Sequence, residues 1–576
     1  MPGEPEATDF SPEAIVRAAF EGSLEELADT AAMDLEGAQW QAFADTAAAL
    51  HNAGKIDLLA AASAAEGEPD WGGERLYGDT FPLLDAPLSA MFDAMSALAA
   101  RTASGEMPYF AQDAFSKWAA KDKVRADGAL SAVRSGSAPE TLLIPALNAG
   151  VRAARADYMA ILVSMMREGS GKEAESAAFV LGNAEPADAS ERQLIEGALT
   201  LGLADDNGQR RAAAFRAMLS IGVRTPEDEA LALAAIDAVE AGASAEIRVA
   251  TANALFMARS KLSEPLVTRM CGLLRGTPKG EPATVRAIDN AISQHLAGGT
   301  AAPRLALLRH LLGSGAATLA AMDSTAYRIL GDKNGLRAAI VAEWLAEGTE
   351  EMVQAVHDLV MRTANQPPTF DLDFSTYDLD PERTAAIGRM IVSSLVLFPE
   401  TAASVILSLL KTGHADAAPA LEEILYDPLL ISYWEGPRSY LLKVAPDQPP
   451  EIAALLERAI GRLDAYIAAI RAAGIIAEFG PSERQRFLYQ ALRQEEQRKI
   501  QKGVKRKSVF ANLFATKVLL YGDSAITKVY RGDGEGTRQE FRLGTIEHSQ
   551  EIARLDAIDP FGFWYQRFLL SIGRTS

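Results

Sequence analysis

The sequence predicts a mainly α fold, a right-handed α-solenoid of two-helix repeats with a small antiparallel β element near the C-terminus. Three observations support this prediction. Aromatic residues make up only 7% of the chain while alanine is abundant, and alanine loses no side-chain entropy in a helix. Short apolar segments with helical periodicity recur every 36 to 37 residues. Beyond residue 508 the apolar pattern changes from helical to alternating, as in strands.

The clearest repeats lie between residues 171 and 312. Ala177-Ala178-Phe179 returns as Ala213-Ala214-Phe215 after 36 positions, and Asn253-Ala254 returns as Asn290-Ala291 after 37. Each of these helices is followed by a second apolar helix. A two-helix unit that recurs at this interval is typical of an α-solenoid, in which each helix pair buries its apolar face only against neighbouring pairs.

This repeat stretch resembles the HEAT-type α-solenoids. The resemblance rests on the two-helix unit and on Arg211, Arg248 and Arg286, which stand near the starts of successive first helices. It covers residues 171 to 312 and extends to the flanking helices. The resemblance implies a curved surface that binds other macromolecules.

The flanking sequence indicates further helices. Three amphipathic helices are predicted near the start, at Pro12–Phe20, Leu24–Met33 and Gln39–Leu50, the last continuing as far as Ala64. Ser11 and Ser23 stand at N-cap positions. The predicted organisation is N-terminal helices over 1–65, a helical repeat array over 81–365, an acidic-aromatic loop over 366–381, a continued helical array over 382–480, a basic amphipathic helix and linker over 482–508, and a β meander with an aromatic C-terminal segment over 509–576.

The charge balance is strongly acidic, with 77 Asp and Glu against 56 Lys and Arg and a net charge of −21. Such a chain repels nucleic-acid backbones and anionic membranes on average. Its single cysteine, Cys271, excludes an intrachain disulfide framework and is predicted to be buried and inert. Because Met1 to Phe10 lacks an apolar core and Pro399 interrupts the most apolar stretch, we expect a cytoplasmic protein without a membrane span.

The chemical motifs of common enzymes are missing from the sequence. The six histidines fall in separate segments and form no helical metal-binding pair. Gly169 to Lys172 lacks the outer residues of a phosphate-binding loop, and the acidic stretch from Asp371 lacks the glycine of a calcium-binding loop. We predict no cofactor, no metal and no catalytic residues, and we consider an enzyme the less favoured class.

A basic stretch follows the predicted helical array. Nine basic and three acidic residues lie between Ser482 and Ser508, a local charge of +6, and the first part of the stretch is amphipathic. The stretch is either a solvated face or the contact for an anionic partner. In the second interpretation the candidate binding residues are Arg498, Lys499, Lys502, Lys505, Arg506 and Lys507.

The last part of the chain combines predicted strands with an aromatic segment. The strands are predicted at Lys517–Tyr521, Ala525–Tyr530 and Arg538–Leu543, and glycine-rich turns separate them. The aromatics that follow either form the core of this small element, which the sequence favours, or form a docking surface. In the second case the partner-binding residues are Phe561, Phe563, Trp564 and Tyr565.

Two hypotheses about function follow. The first is a non-enzymatic scaffold or adaptor that binds a protein partner, as a component of a multiprotein assembly. The second is a nucleic-acid-associated HEAT-like protein, with a base-repair enzyme as one form of it, that uses the basic stretch 484–507. The acidic net charge favours the first, because duplex binding needs a basic stripe along a groove.

Overall fold

The computed structural model describes residues 9–571 except 66, 103–104, 258–261, 295, 297–300, 333–334, 364–367, 475–481, 508–517, 522–523, 531–535 and 543–550. It divides into an N-terminal unit, Met1–Lys333, and a C-terminal unit, Asn334–Ser576. The described part is mainly helical, which confirms the predicted fold class at that level.

The helices of the N-terminal unit are numbered in chain order. They are α1 Pro12–Glu21, α2 Leu24–Asp34, α3 Ala38–Asn52, α4 Leu58–Ala64, α5 Trp71–Thr80, α6 Leu88–Arg101, α7 Tyr109–Ala119, α8 Lys123–Arg134, α9 Leu143–Ala153, α10 Arg155–Glu168, α11 Gly171–Asn183, α12 Ala189–Leu203, α13 Gly208–Gly222, α14 Glu229–Val239, α15 Ala245–Met257, α16 Glu264–Arg275, α17 Pro282–Ser293, α18 Ala301–Gly313 and α19 Asp323–Leu330.

The helices of the C-terminal unit continue the numbering. They are α20 Leu336–Glu347, α21 Glu350–Met361, α22 Pro381–Ser394, α23 Pro399–Thr412, α24 Ala418–Ile424, α25 Gly436–Val444, α26 Pro450–Ala473, α27 Glu483–Lys507, α28 Arg554–Ile558 and α29 Pro560–Ser571.

The predicted N-terminal helices are present, with differences at two points. Ser11 caps α1 by accepting a hydrogen bond from the backbone N–H of Ala14, whereas the side chain of Ser23 makes no such bond to α2. The third predicted helix does not continue past Asn52, because Asp57 caps a separate helix, α4, by accepting from two of its first N–H groups.

A regular interval appears in the N-terminal unit. Helices α11, α13, α15 and α17 begin at Gly171, Gly208, Ala245 and Pro282, so that consecutive starts are 37 residues apart. Each of these helices packs on the next one in the series, and the intervening helices α10, α12, α14, α16 and α18 pack on one another in the same way. This arrangement of two layers is compatible with a helical repeat architecture.

One of the sequence matches that predicted the repeats is out of register by one residue. Phe179 and Phe215 are 36 residues apart, whereas their helices begin 37 residues apart. The side chain positions differ accordingly, since Phe179 is 46% exposed and Phe215 is 0% exposed. Asn253 and Asn290, which are 37 apart, do occupy equivalent helical positions.

The predicted acidic-aromatic loop packs onto α23, over the residues 368–380 that the structure describes. The backbone N–H groups of Phe370, Leu372 and Phe374 donate to the hydroxyls of Ser404, Ser408 and Thr412, at 2.9, 3.0 and 2.9 Å. Alternate residues of an extended chain thus match hydroxyls spaced four apart on a helix. The side chains of Phe370, Leu372 and Phe374 are buried, as is that of Leu379.

Three backbone strands follow α27, namely β1 Val518–Tyr521, β2 Ser524–Tyr530 and β3 Gly536–Arg542. They pair antiparallel in chain order, with Val518 opposite Thr527 and Tyr530 opposite Gly536. Their side chains lie outside the described residues. The prediction that this element forms a cap or a docking module therefore stays a prediction.

Candidate interaction site

The aromatic segment near the C-terminus forms a helix, α29. The carboxylate of Asp559 accepts a hydrogen bond from the backbone N–H of Gly562 at 3.0 Å, and Pro560 occupies the first helical position, where its fixed φ suits a helix start. A Cβ at Gly562 would lie 2.2 Å from Asp559 Oδ2, so a side chain at this position would displace the capping carboxylate.

One face of α29 is docked onto the C-terminal unit. Phe563 and Leu570 are buried, and α29 packs on α22. Between them Arg567 donates from Nε and Nη2 to the carbonyl oxygen of Ser393 in α22, at 3.1 and 2.8 Å. Burial lowers the pKa of the Arg567 guanidinium, which remains charged because arginine titrates far above neutral pH.

The other face of α29 is an exposed aromatic stripe. Phe561, Trp564, Tyr565 and Phe568 stand at positions i, i+3, i+4 and i+7, and they are 83%, 57%, 56% and 57% exposed. Spacing of this kind places the four rings on one side of the helix. The interpretation of these aromatics as the core of the C-terminal element is therefore wrong for Phe561, Trp564 and Tyr565, while Phe563 is a core residue and not a surface one.

A cavity of about 620 Å³ adjoins this stripe within the C-terminal unit. Trp564 and Phe568 line one side of it, while Gln354 and His357 of α21 and Met390 of α22 line the other. Arg567 stacks on Trp564, with its guanidinium carbon 4.3 Å from the ring centroid, and so holds the indole at the cavity rim. The site therefore offers large apolar rings beside a recess lined by both polar and apolar side chains.

The segment before α29 is also fixed to the C-terminal unit. Glu551 accepts hydrogen bonds from the backbone N–H groups of Glu435 and Gly436 at 3.0 and 2.9 Å. The guanidinium of Arg554 lies 3.5 Å from the ring centroid of Trp434. These contacts, together with those of Arg567, hold α28 and α29 in one position, which gives the aromatic stripe a fixed orientation on this unit.

The basic stretch forms the long helix α27. Its described side chains, from Ser482 to Lys499 and at Lys502, are all exposed. Of the predicted binding residues, Arg498, Lys499 and Lys502 are therefore exposed, and Lys499 pairs with Glu495 at 3.3 Å. The side chains of Lys505, Arg506 and Lys507 lie outside the described residues, although the backbone there is helical where the sequence predicts a linker.

The N-terminal unit carries a groove that the sequence did not predict. It has a volume of about 780 Å³ and crosses α13, α15 and α17, and its lining includes the apolar side chains of Leu219, Val249 and Met257. The charged side chains of Arg216 and Glu246 also line it. The signal for this groove was present in the equal spacing of the three helices, but neighbouring helices had to be placed before their shared surface was visible.

Neither metal ligands nor membrane spans are evident in the described part of the chain. No three His, Cys, Asp or Glu side chains within the ranges given above are grouped to hold a metal ion. None of the helices that the structure describes is both long and apolar enough to cross a membrane.

Comparisons with known proteins add little. No family model matches the chain, and no curated protein matches it. Among solved structures, the crystal structure of an engineered protein from the Northeast Structural Genomics Consortium covers 79% of this chain and 99% of its own, at 14% identity and a TM-score of 0.26. At that TM-score the likeness carries no argument about fold or function.

Proposed function

We propose that this chain is a non-enzymatic α-solenoid scaffold or adaptor that binds a protein partner through the aromatic stripe of α29. The observation that carries the proposal is the exposure of four aromatic rings on one face of a helix whose opposite face is docked. Large exposed apolar patches of this kind mark protein–protein contacts. Aromatic side chains bring much contact area, and they are enriched among the residues that dominate binding energies.

The anchoring of α29 supports the same proposal. Because Phe563, Leu570 and Arg567 fix the helix, its free face is presented without a large further loss of conformational entropy on binding. The adjoining cavity can accept a side chain from the partner beside Trp564. The HEAT-type subtype and the right-handed solenoid belong to this proposal, and they rest on the 37-residue interval between helix starts. A cytoplasmic location stays an expectation.

The test is affinity purification of the tagged full-length chain from its native host. A triple variant, Trp564→Ala, Tyr565→Ala and Phe568→Ala, is compared with the parent. The matched control is Phe20→Ala with Tyr109→Ala, since both rings are as exposed as those of the stripe but lie in the N-terminal unit. We expect the stripe variant to lose at least one partner that parent and control both retain, with equal melting temperatures. Identical partners for all three proteins would overturn the proposal.

A second candidate function is nucleic-acid association through α27, and the exposure of its basic side chains favours it. Charge reversal of Arg498, Lys499 and Lys502 to Glu should then reduce retention on a DNA column, with the largest difference at low salt. If the parent elutes at the same salt as this variant, the second candidate fails.

A further inference from the structure

Helix α27 is a long helix without visible packing along its described length. Its 25 residues extend over roughly 37 Å. Helices in water gain most of their stability from packing an apolar face, and isolated ones are marginal. Phe487, Leu488 and Leu492 are nevertheless exposed at 72%, 52% and 57%. This face therefore leaves apolar side chains unburied and available for contact with a partner surface.

The face has a distinctive order of side chains. Arg484, Phe487, Leu488, Ala491, Leu492 and Glu495 stand at i, i+3, i+4, i+7, i+8 and i+11, which is one side of a helix. A cation thus begins the row, four apolar residues fill it, and an anion ends it. All six side chains are exposed.

This row of side chains is complementary to the same row of a second copy that runs in the opposite direction. If two copies pack antiparallel about a point between Tyr489 and Gln490, Arg484 of each copy faces Glu495 of the other. Phe487 then faces Leu492, and Leu488 faces Ala491, so that a large apolar residue meets a smaller one along the row. An isologous contact of this kind uses the same patch twice. We propose that α27 forms an antiparallel pair with α27 of a second copy of this chain.

The parallel arrangement is disfavoured by charge. It would set Arg484 against Arg484 and Glu495 against Glu495, and like charges held together oppose association. In the single chain Glu495 pairs with Lys499 at 3.3 Å, but an exposed pair of this type contributes little to stability. The carboxylate can therefore change partner to Arg484 of the second copy without a large cost.

The paired stretch is short. Twelve residues, from Arg484 to Glu495, extend over about 18 Å. A contact of this length is smaller than a standard stable interface, so we expect a dimer that dissociates on dilution. Arg498, Lys499 and Lys502 lie beyond the paired stretch and stay exposed at each end.

Sedimentation velocity of the full-length chain over a range of concentrations tests this pairing. We expect the parent to shift from monomer to dimer as its concentration rises. Arg484→Glu and Glu495→Arg should each weaken dimerisation about tenfold, because each variant brings two like charges together at both ends of the contact. The double variant, and an equimolar mixture of the two single variants, should recover dimerisation.

The matched control is Arg486→Glu, which makes the same charge change on the opposite side of the helix and should leave the dimer unchanged. A parent that stays monomeric at all concentrations would refute the pairing. So would an equal effect of the Arg484 and Arg486 variants, or a mixture that fails to recover. None of these results bears on the aromatic stripe of α29, whose partner is tested separately.

Discussion

Arg248 and Glu281 form a partly buried ion pair that joins α15 to the start of α17, with Arg248 Nε 3.1 Å from Glu281 Oε2. The hydroxyl of Thr284 donates to the same carboxylate at 2.8 Å. The hydrogen bond from Arg248 is the main reason that the pKa of Glu281 lies below its usual range. Two helices that begin 37 residues apart are thus connected by a partly buried charged contact.

The first prediction concerns acid stability. An acid whose pKa is depressed in the folded state contributes stability above its unfolded pKa, about 4.3 for Glu, and this contribution is lost as pH falls through the folded pKa. Glu281→Gln should therefore flatten the loss of stability below that pH. Arg248→Met, which removes the charged hydrogen bonds to this carboxylate, should cost about 2 kcal/mol at pH 7.

Urea unfolding between pH 3 and 7 measures both effects. Lys172→Met is the control, since the Lys172–Glu140 pair is exposed and its loss should cost less than about 1 kcal/mol. If Arg248→Met and Lys172→Met had equal effects at pH 7, the Arg248–Glu281 pair would stabilise the fold no more than an exposed pair does.

The second prediction uses two phenylalanines from the repeat stretch. Phe215 is enclosed in α13, so Phe215→Ala should destabilise the N-terminal unit by about 3–5 kcal/mol. Phe179 lies half exposed in α11, and Phe179→Ala should change stability by about 1 kcal/mol or less. Differential scanning calorimetry of both variants checks this. Equal losses would contradict the assignment of Phe215 to the core and of Phe179 to the surface.

The third prediction concerns the docking of α29. Arg567→Met removes both hydrogen bonds to Ser393, and Phe563→Ala removes the buried ring on the same side. In each variant the amides of residues 560–571 should exchange hydrogen faster, because local opening of the helix costs less free energy. Mass spectrometry of deuterium uptake measures the change. Tyr565→Ala, on the exposed face, should leave exchange as in the parent, and faster exchange there would contradict the assignment of the two faces.

The fourth prediction concerns the single cysteine. Cys271 is buried in α16, and burial raises the pKa of its thiol to about 11. Since the thiolate is the reactive form, the folded chain should resist a disulfide reagent at pH 8 and react fully in urea. Rapid labelling of the native chain would show that Cys271 is accessible.

Local signals allowed part of this structure to be predicted. Ser170 and Glu173 form a reciprocal cap at the start of α11, and this Ser-x-x-Glu pattern before an apolar stretch is readable in the sequence. The burial of Cys271 is likewise confirmed. In contrast, the match between Phe179 and Phe215 gave a repeat interval one residue too short. Short alanine-rich identities recur by chance in a chain of such composition.

The aromatic segment shows a different limit. Rings at i, i+3, i+4 and i+7 predict that one face of a helix packs against another surface. The pattern does not indicate whether that surface belongs to the same chain or to a partner. Only the placement of Phe563 and Arg567 against α22 assigns the exposed face. In the same way, the loop from residue 368 to 380 docks through hydroxyls of Ser404 and Ser408, which are ordinary residues for a helix and carry no signal in sequence.

Because these helix starts in the N-terminal unit are a constant 37 residues apart, one whole repeat can be removed or added. Excision of residues 245–281 joins Ser244 directly to Pro282. Helix α17 then follows α14 and begins at the chain position where α15 began. Arg248 and Glu281 both lie within the excised segment and are removed together, so neither charge is left without the other. A shortened chain of this kind should fold with α13 against α17. Duplication of the same segment would lengthen the array by 37 residues and keep the same spacing between helix starts. The number of repeats can therefore vary while each junction between repeats is preserved.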